Sequence, residues 1–120
     1  NVGLDYEVLA ARRPDLVMVL GDRFGAAAGR EVMDAVEAAF AAAGLRVARN
    51  APFAGAYITQ TYGRPGIRQH AVQIELDRAL YMDERTIQPH AQFADFRARL
   101  EPVLRGIAVL GMPEARLAAE

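Results

Sequence analysis

The chain has 120 residues and 52% hydrophobic content, enough for one domain with a real core and too apolar for a disordered segment. Its 14 basic residues are all arginine, scattered and balanced by 15 acids to a net charge of -1, which argues against a polyanion binder, so no nucleic acid partner is expected. Cysteine is absent, which excludes disulfides, thiolate zinc sites and a cysteine nucleophile, and fits a reducing, cytoplasmic setting.

Residues 1–14 have neither the basic start of a signal peptide nor an initiator Met, and read as the lead-in of a portion of a longer protein. "DLVMVL", residues 15 to 20, is a short apolar run bounded by Pro14 and Gly21, the pattern of a strand buried on both faces. It opens into "GDRFGAAAG", a loop of glycines and small residues. From Arg30 the spacing of Val32, Met33, Val36 and Phe40 predicts a helix that Gly44 stops, and "LRVAR" follows as a second strand. Strand, helix and strand on short connections make a βαβ unit with parallel strands, the first strand lying next to that of Val47 or that of Ile74. "AYITQTY" is β-prone and predicts a short strand or hairpin arm over Tyr57 to Thr61, with a turn at Gly63 to Gly66. Residues 70 to 77 alternate with period two as a further strand. After Pro89 a helix is expected through Phe93, Phe96, Leu100, Val103, Leu104 and Ile107, kinked or split at Pro102, and 112–120 form a tail. No apolar run approaches the ~18 residues of a membrane span, and no linker or repeat divides the chain. The whole reads as a single α/β domain in layers around a sheet.

The strand "HAVQIELD" poses the sharpest chemical question. His70, Val72, Ile74 and Leu76 point one way, while Ala71, Gln73, Glu75 and Asp77 point the other. A carboxylate in the middle of a covered strand must be paired, metal-bound or in a cleft, because burying it alone costs several kcal/mol. Glu75 is therefore either functional or the partner of an arginine such as Arg78. Asp22 and Arg23 follow the carboxyl end of the first strand, where open α/β sheets place ligands; Asp22 equally suits a turn cap paired with an arginine. A phosphate loop fails for want of lysine, and a dinucleotide fingerprint fails because Gly21, Gly25 and Gly29 are evenly spaced. His70 and His90 are the only imidazoles, on separate elements, and they do not form a helix-borne metal pair. His70 reads more simply as a hydrogen-bonded structural residue, and no metal ligand is assigned within the chain.

Together "VLGDRFGAA", "VARNAPFAGAYITQTYGRP" and "HAVQIELDRALYMDE" resemble the C-terminal half of the N-formylglutamate amidohydrolase (N-formylglutamate deformylase) family. The resemblance runs from about Asp15 to Glu84 and is carried by Asn50, Pro52, Phe53, Gly55 and Tyr57 with Gln73, Glu75, Arg78, Tyr81 and Asp83. "GAY" at 55 to 57 departs from the family's usual double glycine before tyrosine, and "GAAAG" is richer in alanine than its counterpart.

The resemblance implies a three-layer mixed central sheet flanked by helices, similar to the zinc carboxypeptidase (phosphorylase/hydrolase-like) fold and only partly present here. It also implies zinc-dependent hydrolysis of the formamide of N-formyl-L-glutamate in histidine degradation. In that picture Glu75 is the catalytic glutamate, Arg23, Arg64 and Arg78 are candidate clamps on substrate carboxylates, Asn50 and Tyr57 offer neutral hydrogen bonds, and His70 sits at the cleft edge. The zinc ligands are expected upstream of this chain, in the family's histidine-containing N-terminal half. Two function classes stay open: this amidohydrolase portion acting on a small N-acyl amino acid, or a non-catalytic α/β domain binding a small carboxylate or a partner subunit. A homo-oligomer is compatible with either, since a partial sheet leaves apolar surface to cover.

Overall fold

The computed structural model describes residues 18–112. Strand β1 (Met18–Gly21) is buried throughout, as its unbroken apolar run predicts; residues 15–17 of that run lie outside the described part. Helix α1 (Arg30–Ala42) turns Met33, Val36 and Phe40 inward and leads to β2 (Val47–Arg49). β2 pairs in parallel with β1, with Met18 opposite Val47, so the βαβ unit is present. On its other side β1 pairs antiparallel with β3 (Gln73–Leu76). The sheet is mixed, in the order β2-β1-β3, with the apolar strand between the two neighbours that the sequence offered as alternatives.

Register assigns the faces. Residues paired across strands point to the same side, so Met18 and Leu20 share a face with Val47, Leu76 and Ile74. That face carries the core, where Met18 and Leu20 pack with Met33, Val36 and Phe40 of α1 and with Phe96 and Val103 of α3 (Phe93–Leu110). The two long helices therefore share one face of the described sheet, which is mixed α/β as expected. The opposite face, bearing Val19, Gly21, Gln73 and Glu75, meets the segment 54–56.

Three expectations are corrected. "YITQTY" is not a strand but helix α2 (Tyr57–Tyr62). β propensity describes fit to a half-buried sheet surface and yields to context, and this segment pairs with no strand of the described sheet. A helix satisfies its own backbone groups, and the Thr59 hydroxyl donates to Ala56 O (2.9 Å) at its start. The 70–77 strand shrinks to Gln73–Leu76 because its first residues are engaged elsewhere: Ala71 N donates to Ala27 O (2.9 Å). On the predicted apolar face Val72 and Leu76 pack on the core, but Ile74 is 37% exposed at the sheet edge. Finally, α3 runs unbroken through Pro102. Pro102 is exposed, while Phe96, Leu100, Val103 and Ile107 hold the turns before and after it against one surface, which outweighs the missing backbone bond.

Between β3 and α3 lies a hairpin that the periodicity did not reveal, β4 (Met82–Asp83) with β5 (Gln88–Pro89). The Tyr81 ring stacks on Phe96 at 5.9 Å and meets Phe93 edge-on at 6.2 Å, tying this hairpin to α3. Arg99 of α3 donates Nε and Nη2 to Ala43 O (3.1 and 2.7 Å), satisfying a carbonyl at the end of α1 with a cation placed where the helix dipole favours it. Arg49 joins β2 to α1 through Glu37 (2.7 Å) and Asp34 (2.8 Å), whose carboxylates hold the guanidinium still more firmly in its charged form.

Candidate functional site: the polar face of the sheet and the loops above it

Gly21 is the last residue of β1, paired with Gln73. A Cβ there would lie 2.6 Å from Ala54 C and 2.8 Å from Gly55 N, so the absence of a side chain is what lets the 54–55 backbone cross the sheet at this point. Gly55, at φ +111, turns the chain where a side chain would strike Thr59. The crossing delivers the Ala56 amide to the strand: Ala56 N donates to Gln73 Oε1 (3.0 Å), and Gln73 Nε2 donates to Glu75 Oε1 (2.7 Å). Glu75 is half-buried, and its Oε1 is held by a carboxamide that is itself fixed by backbone.

The loop after β1 is built with equal economy. Arg23, Phe24 and Gly25 all have positive φ (53°, 55° and 92°), a conformation that costs a non-glycine residue roughly 1–2 kcal/mol. Asn50 holds it. Its Oδ1 accepts from Asp22 N (3.0 Å) and Phe24 N (3.4 Å), its Nδ2 donates to Asp22 Oδ1 (2.9 Å), and its own backbone N donates to Leu20 O (2.8 Å). Asn50 adopts φ 61°, which asparagine tolerates better than most residues. Asp22 is thus buried with the Asn50 amide as partner, and among the described residues no arginine pairs with it. Arg23 N donates to Ala54 O (2.8 Å) and Arg23 Nη1 to Gly55 O (3.5 Å), so this loop and the 54–56 crossing are one assembly.

Among the residues singled out in the sequence, Glu75, Arg23, Asn50 and Tyr57 come together here, Tyr57 being 69% exposed and next to Ala56. Asn50 is committed to the loop through both ends of its carboxamide. His70 accepts a hydrogen bond from Gly29 N at Nδ1 (2.9 Å), at the entrance to α1. Arg64 follows Gly63, which packs against Ala27, and donates to Thr61 O (3.2 Å). Arg78 is placed apart. Leu76 pairs with Met18 at the start of β1, so Arg78 lies beyond the end of the sheet opposite to Arg23, and it pairs with Glu84 (3.3 Å) rather than Glu75.

Gln73, Gly21 and Ala56 were given no role in the sequence reading. The only local signal was an amide two residues before a carboxylate on one strand face; the partners that give it meaning are distant in sequence. Among the described residues no three His, Asp or Glu side chains converge on a point that would hold a metal, and both histidines are engaged, His90 with Ala79 O and Gln92 N. An apolar groove of about 740 Å³, lined in part by Leu76, Tyr81, Phe96, Leu100 and Leu104, runs along α3 on the core side, the other side of β3 from Glu75.

Known proteins resemble this chain in sequence and in fold. The N-formylglutamate deformylase of Pseudomonas aeruginosa is 39% identical over 87 residues, which are 72% of this chain and 32% of that protein. The crystal structure of N-formylglutamate amidohydrolase from Ralstonia eutropha JMP134 matches with a TM-score of 0.68 and 35% identity, over 77% of this chain and 32% of that one. The chain thus spans about a third of the length of these relatives. Among the described residues no helix is long and apolar enough to cross a membrane. A family model for N-formylglutamate amidohydrolase matches residues 3–82, which takes in β1, α1, β2, α2, β3 and both loops of the site, and the chain belongs to that family.

Proposed function

We propose that this chain supplies the glutamate-bearing part of an amidohydrolase that converts N-formyl-L-glutamate and water to glutamate and formate. The observation that carries this reading is Glu75, held by Gln73 on the sheet face away from the core and beside the strained Arg23 loop. Glu75 accepts a proton from the water that attacks the formyl carbon. As the C–N bond breaks, it returns that proton to the departing amine, so one carboxylate serves as base and then acid. Arg23 and Arg64, which follows α2, bind the carboxylates of the substrate, and Tyr57 donates from the loop edge. Asn50 acts through the loop, keeping Arg23 in place, and His70 steadies the entrance to α1. Arg78 belongs to this proposal only as a contact at the far end of β3.

The described residues do not fit zinc, so no step here is routed through it. The zinc that the resemblance implies is assigned in this proposal to ligands outside residues 18–112, within a domain of zinc-carboxypeptidase-like fold. The reaction's place in histidine degradation and in the cytoplasm is part of the same proposal.

In the full-length polypeptide Glu75→Gln removes the proton acceptor while keeping the shape and the hydrogen bond from Gln73 within reach. A kcat for N-formylglutamate lowered by ~10²–10⁴, with a smaller change in KM and an unchanged melting temperature, is the expected result. Full activity would make Glu75 a structural residue and remove the basis of the proposal.

A further inference from the structure

We infer that Gln73 is the positioning residue for Glu75, and that through it the 54–56 crossing sets where the carboxylate stands. This rests on the reading of Glu75 as the base. Gln73 is bound at both ends of its carboxamide: Oε1 takes the Ala56 amide proton at 3.0 Å, and Nε2 gives a proton to Glu75 Oε1 at 2.7 Å. The first bond assigns the second. Because Oε1 is committed to a backbone donor, the amide cannot flip without placing two N–H groups against each other, so Nε2 is the end that faces the carboxylate. The backbone donor is fixed in turn by Arg23 N to Ala54 O and by the close approach of Ala54 and Gly55 over Gly21. A carboxylate on a strand has two side-chain torsions beyond Cβ to spend. Binding Oε1 to an anchored donor removes that freedom and leaves Oε2 to be aimed by the same contact.

The consequence is a kinetic signature that a merely structural glutamine lacks. Gln73→Leu removes both bonds at similar volume, and Gln73→Glu keeps the acceptor for Ala56 N while losing the donor to Glu75. In the full-length polypeptide, with N-formylglutamate as substrate, both variants are expected to lose ~10–10²-fold in kcat, the scale of a misplaced catalytic group, with KM within about threefold. In a Glu75→Gln background the same changes should add little, because a positioning residue acts only through the group it positions. Wild-type kcat in Gln73→Glu, or a loss that adds in full to that of Glu75→Gln, overturns the inference while leaving Glu75 as base. An active Glu75→Gln overturns the base reading instead, and the two failures are told apart by which single variant is active. If Gln73→Leu does not fold, the near-isosteric Gln73→Glu and its double variant decide the matter alone.

Discussion

The two faces of the three-stranded sheet are held by different physics. On one, Met18, Leu20, Phe40, Phe96 and Val103 bury side chains that are interchangeable in kind, and the stabilisation is dispersed over many contacts. On the other, at the carboxyl end of β1, a few specific contacts decide the geometry: a missing side chain at Gly21, the Ala56 to Gln73 bond, the Gln73 to Glu75 bond, and Asn50 gripping a loop of positive-φ residues. The contrast shows how a short strand serves two purposes. The apolar face anchors β3 through Val72 and Leu76, and the strain that the polar side carries in Arg23 and Phe24 is tolerated because that anchoring exists.

This contrast can be broken from either side. The largest effect is expected from Phe40→Ala, which empties a fully buried site on the core face and should cost ~3–5 kcal/mol, read by urea unfolding. The Ala56 amide should keep its protection from hydrogen exchange relative to its neighbours in the native state, because the core and the polar link are separate. Loss of that protection without global unfolding would show the two faces to be one unit.

Gly21→Ala tests the opposite face. Its new Cβ meets backbone of Ala54 and Gly55, so the crossing must shift, at ~1–3 kcal/mol for overpacking. Here the Ala56 amide should become the local site of faster exchange, and kcat should fall in the full-length polypeptide although no polar group has been touched. An unperturbed Ala56 amide would mean that the crossing tolerates displacement and that Gly21 is small for some other reason. The smallest effect is expected from Arg99→Ala, which removes a partly exposed charged hydrogen bond at the end of α1, about 1 kcal/mol by its exposed setting. Its loss should lower the melting temperature without moving kcat, KM or the Ala56 amide, which sharpens the boundary of the site.

Much of this was legible in residue order. The apolar run that ends in Met18–Leu20 read as a covered strand, which its described residues are, and the spacing from Val32 to Phe40 wrote α1 with its buried stripe. The motifs around Asn50 and Glu75 carried the family. The misreadings have a common cause. Six residues such as "YITQTY" are too few for periodicity to separate helix from strand, so the surroundings decide, and here they supply a turn at Gly55 and no partner strand. The propensity of Pro102 to break a helix was likewise overruled by packing on both sides of it.

What the sequence by itself determined, then, is which face of each strand or helix would turn to the core, since the alternation of apolar and polar groups is a local property; it did not determine how far each residue would be covered, as Ile74, Phe93 and Leu104 on those apolar faces are exposed. It also determined that Glu75 would face away from the core. Only the tertiary structure decided what Glu75 would meet there. Gln73 touches Glu75 two residues away, but its other end is held by Ala56, seventeen residues distant, and Asn50 grips a loop twenty-eight residues before it. Hydrogen bonds of that reach depend on where the chain returns in space. In this molecule that return is set by the room left above Gly21.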